Sequence, residues 1–255
     1  MPTNVIVSKD GAVARLTLSS DDGLHVLSRA TMAQLHEHLD ALAIDAELRA
    51  VVLSAEGTRA FSAGADLREL AELDHESAKA YAVAGQAVTQ ALSRIPVPTV
   101  AALNGPAYGG GIELALACDF RVAAPGARIH YQASRLGLLP GWGGTQRLPD
   151  LVGPARAKAI MVLCQAIEPG TALDWGLVDA VSPEAGVEAA VTAWLARLEG
   201  LDGPAMIQIK RAIDYARPHD FSGEQAAFAA CFANGRAAAL VRAWLDRPNK
   251  HHSPS

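Results

Sequence analysis

Between Asn104 and Asp119 the chain reads NGPAYGGGIELALACD, with three consecutive glycines followed two residues later by Glu113 at the head of an apolar run. A glutamate in the first turn of a helix is either a partner for the positive end of the helix dipole or, where a substrate reaches it, a base or acid. The glycines next to it leave backbone N–H groups open to close approach by a ligand oxygen. A second turn of similar make, FSAGADL, lies at residues 61 to 67. Two such turns aimed into one space form a two-donor hole for an oxygen that becomes negative during reaction. Preorganised donors of this kind are worth about 3 kcal/mol each.

Other residues with chemical potential cluster around IHYQASRLG. His130 and Tyr131 fall on opposite faces of a regular strand, so one of them points inward. Tyr131 reads as a core aromatic or a functional hydroxyl, and His130 as a surface residue or a titratable one. Gln132 and Ser134 can hold a water without acting as bases. His25, in GLHVLS, is either a hydrogen-bonding residue or an acid near a pocket. His36 and His38, two apart on a helix, cannot share a face and read as solvent residues. Trp142 sits within the glycine loop LGLLPGWGGTQRL and narrows any pocket there.

These residues need elements to hold them. Residues 4 to 8 and 12 to 18 form a hairpin around Asp10-Gly11. Ser28 caps a helix from Arg29 to about Ile44, on which Met32, Leu35, Leu39 and Leu42 recur at helical spacing. RAVVLSA is a short buried strand. Strand, glycine-bearing turn and helix then occur twice, in VVLSAEGTRAFSAGADLREL and PTVAALNGPAYGGGIELALA, which is an α/β pattern. DFRVAA and ARIHY suggest a further strand pair, and a helix runs from the glycine loop through Leu151. GLVDAV is a last short strand among helices at Pro183 to Leu198, Pro204 to Ala216 and Glu224 to Asp246.

At 255 residues, 50% hydrophobic and 19% charged, the chain can bury a sizeable core. Its net charge of -5 has no basic run beside it, so no nucleic-acid partner is expected. The helix from residue 29 to 44 sets Arg29 against Glu37 and Asp40 and offers no basic comb. Cys118, Cys164 and Cys231 lie among apolar residues without metal-ligand spacing and read as core residues in a reducing compartment. No leader or membrane-length apolar run is seen, so the expected location is cytoplasmic, with no membrane partner and no metal.

Four segments in order, FSAGADL, NGPAYGGGIELALACDFRVAA, LGLLPGWGGTQRL and GLVDAV, closely resemble the enoyl-CoA hydratase/isomerase (crotonase) superfamily over nearly the whole chain. The resemblance implies a crotonase-like (ClpP/crotonase) α/β spiral of ββα units over residues 1–200. It also implies a helical trimerisation region at 201–250, with a tail at 251–255. It implies an acyl-CoA thioester substrate, no cofactor beyond the coenzyme A of that substrate, and a homotrimer or dimer of trimers. By position, Ala65 and Gly110 match the family's backbone donors to the thioester oxygen and Glu113 its first catalytic glutamate. Ala63, Asp66, Leu67 and Arg68 resemble the segment that holds the coenzyme A. His25 stands where the family commonly has Asn, at the border of the CoA and acyl pocket, with Tyr131 and Trp142 as further substrate-side candidates.

The chain departs from that pattern at one place. The family's second glutamate lies four residues before the glycine of its LG(I/L)(I/L)PG motif, and counting back from Gly137 gives Ala133. Hydration of a 2-enoyl-CoA with one glutamate is the first reading. Decarboxylation of a malonyl-type thioester and isomerisation of an enoyl-CoA double bond are alternatives served by the same hole; relatives resembling ethylmalonyl-CoA decarboxylase share Trp142 and lack the second glutamate. A non-catalytic binding member is a fourth class.

Overall fold

The computed structural model describes residues 2–183, 186–215, 222–233 and 235–246. The expected hairpin is formed by β1 (Asn4–Asp10) and β2 (Val13–Ser19), which pair antiparallel from Asp10↔Val13 outward. On β2, Ala14, Leu16 and Leu18 are buried and alternate with half-buried residues, the period-2 signature of a strand with one face on the core. β4 (Ala50–Ala55), β6 (Thr99–Leu103), β8 (Phe120–Ala123) and β10 (Ala180–Val181) extend the sheet in parallel, in the order β1-β2-β4-β6-β8-β10. All five residues of β6 are buried, as a strand covered on both faces requires.

Two short parallel pairs stand apart from this sheet. β3 (Val26–Leu27) pairs with β5 (Gly64–Ala65), and β7 (Ala107–Tyr108) with β9 (Ile129–His130). The expected pairing of DFRVAA with ARIHY therefore does not form. β8 takes β6 and β10 as its two neighbours, which leaves it no edge for β9.

Helix α1 (Arg29–Ala43) begins where expected, with the Ser28 side chain accepting from Thr31 N, and buries Met32, Leu35, Leu39 and Leu42. After α2 (Leu67–Ala71), helix α3 (His75–Ser93) is opened by a reciprocal Asp74/Ser77 capping box. Then follow α4 (Gly110–Ala117), α5 (Gly144–Val152), α6 (Pro154–Val162), α7 (Pro169–Asp174), α8 (Glu188–Ala196) and α9 (Gly203–Tyr215). The helix expected from Pro183 starts only at Glu188. The one expected from Glu224 to Asp246 is two helices, α10 (Ser222–Phe232) and α11 (Arg236–Leu245), because the left-handed backbone of Gly235, φ +70°, cannot continue a helix.

α10 packs on α3, where the Phe228 ring lies parallel to Tyr81 at 6.4 Å between centroids. α11 packs on α2, and Arg242 donates to the Ala71 carbonyl at 2.6 Å. The C-terminal helices thus cover the same elements that flank the AGAD turn. The residues expected as a polar tail, 251–255, lie outside the described residues. Among the described residues no helix is long and apolar enough to cross a membrane.

Candidate active site

The two glycine turns meet. Ser62 bridges to Ala107, Tyr108 N donates to the Ser62 carbonyl at 2.9 Å, and a Cβ built on Gly64 would lie 2.7 Å from the Tyr108 carbonyl and 3.3 Å from Gly110 N. Only a glycine permits that approach, so Gly64 brings the Ala65 turn beside the start of α4. Gly109, at φ +43°, turns the chain into α4 and has no side chain with which to cap the helix. The N–H groups of Ile112 and Glu113 return to the Gly109 carbonyl at 3.0 and 3.1 Å. The N–H of Gly110, two positions before Ile112, belongs to the set that an α-helix leaves outside its own ladder.

Glu113 is 3% exposed, the one buried acidic side chain among the described residues. Burial of a carboxylate is tolerated where N–H donors converge on it. Here they come from the glycine loop: Trp142 N and Gly144 N both donate to Glu113 Oε1, at 2.7 and 2.9 Å. The loop is itself fixed from behind. Gln86 donates to the Gly141 carbonyl at 2.9 Å, and Thr89 to the Trp142 carbonyl at 2.8 Å. Buried Arg147 reaches both Thr89 Oγ1 and the Trp142 carbonyl, at 3.2 and 3.3 Å. Gln225 on α10 completes the chain by donating to Gln86 Oε1 at 2.7 Å.

Trp142 packs its indole between α3 and α4. A Cβ on Gly85 would come within 2.0 Å of the indole nitrogen, and one on Gly110 within 2.3 Å of its benzo ring. The ring thus occupies the space directly against Gly110. On its other side Trp142 closes a cavity of about 380 Å³ between α1 and α3, which Met32, Tyr81, Ala84 and Val88 also line. His36 lines the same cavity and lies 3.8 Å from Asp40, so it is half-buried at the rim rather than simply in solvent.

The remaining candidates divide. Tyr131 is the inward residue of its pair, fully buried, and its hydroxyl converges with Glu113 on Gly144. His130 is half-buried, and its Nε2 donates to the Cys164 carbonyl at 3.1 Å. Burial holds the imidazole below its usual pKa, against the opposing pull of that carbonyl. Ala133 opens a single 3-10 turn, Ala133–Leu136, in which Ser134 donates to the Val162 carbonyl at 2.9 Å.

His25 has no exposed surface, so the imagined pocket-facing imidazole is instead an internal strut. Its Nδ1 donates to the Ala60 carbonyl at 3.0 Å, which leaves Nε2 as the buried acceptor, and its own carbonyl receives Ser62 Oγ at 2.7 Å. Burial depresses its pKa, with the Ala60 carbonyl acting the other way. Its φ of +51° is in the left-handed region, where Asn is commoner than His. Asp66 caps α2 by accepting from Arg68 N at 2.8 Å. Ala63 and Leu67 are half-buried beside it and the Arg68 side chain is exposed.

The sequence did not single out Gly85, Gln86, Thr89, Gly144 or Arg147. Gly85 was the available signal, a helix-weakening residue inside an otherwise uninterrupted helical run.

The fold and this arrangement define an α/β protein with a buried carboxylate one turn inside a glycine-opened helix. The chain belongs to the enoyl-CoA hydratase/isomerase family, whose model matches residues 8–234. It is 38% identical over 178 residues to a short-chain-enoyl-CoA hydratase of Clostridium acetobutylicum, covering 70% of this chain and 68% of that one. It is 35% identical to a crotonyl-CoA hydratase of Syntrophomonas wolfei subsp. wolfei, covering 71% and 70%. The crystal structure of an enoyl-CoA hydratase from Mycobacterium avium subsp. paratuberculosis K-10 superposes with a TM-score of 0.85 at 26% identity, over 94% of this chain and 98% of that one. The fold is therefore crotonase-like, and the chain is an enzyme of this family.

Proposed function

We propose that the protein adds water reversibly to a 2-enoyl-CoA thioester, with Glu113 as the one carboxylate that handles protons. The observation that carries this reading is the placement of Glu113: buried, held by two loop N–H groups, and three residues along α4 from Gly110. With the thioester oxygen between the N–H groups of Ala65 and Gly110, charge that develops there meets fixed donors at no reorganisation cost. Glu113 takes a proton from water as its oxygen bonds to C3. The C2–C3 π electrons move into the thioester enolate, and Glu113 returns the proton to C2. One carboxylate thus serves as base and then as acid, and no atom is left unaccounted for.

In this reading the segment Ala63–Arg68 borders the coenzyme A, with the exposed Arg68 guanidinium available to its phosphates. His25 acts from behind that segment, and Trp142 limits the room beside the acyl group. A homotrimer or pair of trimers is proposed with it. Its support is the exposed apolar pair Ile209 and Ile213, each 61% exposed on α9.

One observation favours a second reading. Ala133 stands where the family pattern has its second glutamate, and decarboxylation of a malonyl-type thioester needs the enolate hole without a carboxylate pair. The test is incubation of the purified protein with crotonyl-CoA and, separately, with methylmalonyl- and ethylmalonyl-CoA, followed by product mass. A gain of one water on crotonyl-CoA, lost in Glu113→Gln, supports hydration. Loss of carbon dioxide from the malonyl-type esters without hydration overturns it.

A further inference from the structure

Gly110 and Glu113 stand three residues apart on one face of α4, and both are buried. A thioester whose oxygen meets the Gly110 N–H and whose C2 and C3 lie within reach of Glu113 must occupy that face. The benzo ring of Trp142 is already there. A Cβ built on Gly110 would meet three atoms of the ring, at 2.3, 2.6 and 3.2 Å. Something must move before an acyl group fits.

The main chain of the glycine loop is pinned. Trp142 N donates to Glu113 Oε1 at 2.7 Å, the Trp142 carbonyl accepts from Thr89 at 2.8 Å and from Arg147 at 3.3 Å, and the Gly141 carbonyl accepts from Gln86 at 2.9 Å. The indole, by contrast, borders the cavity of about 380 Å³ between α1 and α3, walled by Met32, Tyr81, Ala84 and Val88. Gly85 lies where ring and cavity meet. It lines the cavity, and a Cβ on it would lie 2.0 Å from the indole nitrogen, so a residue without a side chain leaves that way clear.

We propose that the Trp142 indole is a gate: it swings off the face of α4 into the cavity between α1 and α3 as the acyl group of the thioester enters beside Gly110. A change of side-chain rotamer is enough, and the peptide groups on either side keep their hydrogen bonds, including the one that holds Glu113. In the cavity the ring stays among apolar side chains and makes contacts with walls that had none. The acyl group covers the surface of Gly110 that the ring leaves. Both positions of the indole are therefore packed, and the bound acyl group selects between them. Coenzyme A without an acyl group has no such effect, because nothing then competes with the ring for the face of α4.

The inference rests on the acyl-CoA reading, and its test separates the two. Butyryl-CoA, a saturated thioester with no double bond to hydrate, is the probe, and unacylated coenzyme A the control; calorimetry gives the affinity of each. In protein isotope-labelled at the methionine methyl groups, the Met32 signal, assigned by its loss in Met32→Leu, reports the ring current of an indole arriving in the cavity. Butyryl-CoA is expected to displace that signal and coenzyme A alone to leave it in place. In Trp142→Leu, which has no ring to move, butyryl-CoA should bind with the signal unmoved. The gate is overturned, and the acyl-CoA reading left standing, if butyryl-CoA binds without displacing Met32 or displaces it equally in Trp142→Leu. Refusal of butyryl-CoA by a protein that binds coenzyme A overturns the gate as well. Binding of neither compound removes the acyl-CoA reading and the gate with it. Should Trp142→Leu fail to fold, Ala84→Phe decides, since Ala84 is exposed on the cavity wall and a ring there takes the space the indole needs. Affinity for butyryl-CoA should fall about five- to a hundredfold, the size of forcing an extra group into filled space, while that for coenzyme A holds. Unchanged affinity for butyryl-CoA in that variant overturns the proposal.

Discussion

The main-chain N–H of Trp142 donates to Glu113 Oε1 at 2.7 Å while the indole of the same residue lies against Gly110. One residue thereby sets the distance between the carboxylate and the helix start that the thioester oxygen is proposed to meet. Replacing Glu113 tests the carboxylate alone. Glu113→Gln keeps an oxygen for the two N–H donors, so the fold should survive. Loss of the proton-transfer group should lower kcat by about 10²- to 10⁴-fold. The measurement is steady-state turnover beside a circular-dichroism melt.

Trp142→Ala should separate pocket volume from catalysis. Removal of a buried Trp costs about 3–5 kcal/mol, read as a lower denaturant midpoint. The vacated volume joins the cavity between α1 and α3. Thioesters with longer acyl chains should then gain in kcat/KM relative to crotonyl-CoA, measured across a chain-length series.

Gly85→Ala is a sharper test of the same contact. The new methyl group meets the indole nitrogen at 2.0 Å, so the ring must shift, at a cost of about 1–3 kcal/mol. In a Trp142→Ala background the methyl group meets open space, and the same substitution should cost little or turn stabilising, since Ala is the better helix former. A double-mutant cycle on denaturant unfolding gives the coupling directly.

His25 predicts a pH dependence of stability. Its folded-state pKa lies below the usual imidazole value of about 6.5 because burial penalises the charged ring. The unfolded chain therefore binds more protons below about pH 6.5. Stability is full above that value and falls as the pH drops toward the lowered folded-state pKa. His25→Asn, which suits the left-handed backbone and keeps a polar side chain, should flatten the curve below about pH 6.5. Urea midpoints of both proteins at matched pH values check it.

Much of this was legible in residue order. The hairpin, the Ser28-capped helix and the two glycine turns could be read from period, caps and turn residues. Ala65, Gly110 and Glu113 were singled out through motifs whose spacing is local. What escaped was contact between distant segments. Nothing near Trp142 announces that Gly85 on α3 must be a glycine for the indole to lie there. Gln86 and Thr89 look like ordinary helix residues until the loop carbonyls they serve are in place. Alternation put one of His130 and Tyr131 inward without saying which, and the nearness of the Tyr131 hydroxyl to Gly144 depends on α5 starting at a residue without a side chain. The failed strand pair has the same cause, since β8 was claimed by neighbours far along the chain.

The loop that holds Glu113 also fixes when the site can exist. Its two N–H donors lie 29 and 31 residues after the carboxylate, and the brace behind them reaches Gln225 through Gln86. A nascent chain leaving the ribosome therefore presents Glu113 well before anything can receive it. The carboxylate stays hydrated until the loop docks, and the brace closes only once Gln225 has been made, 112 residues after Glu113.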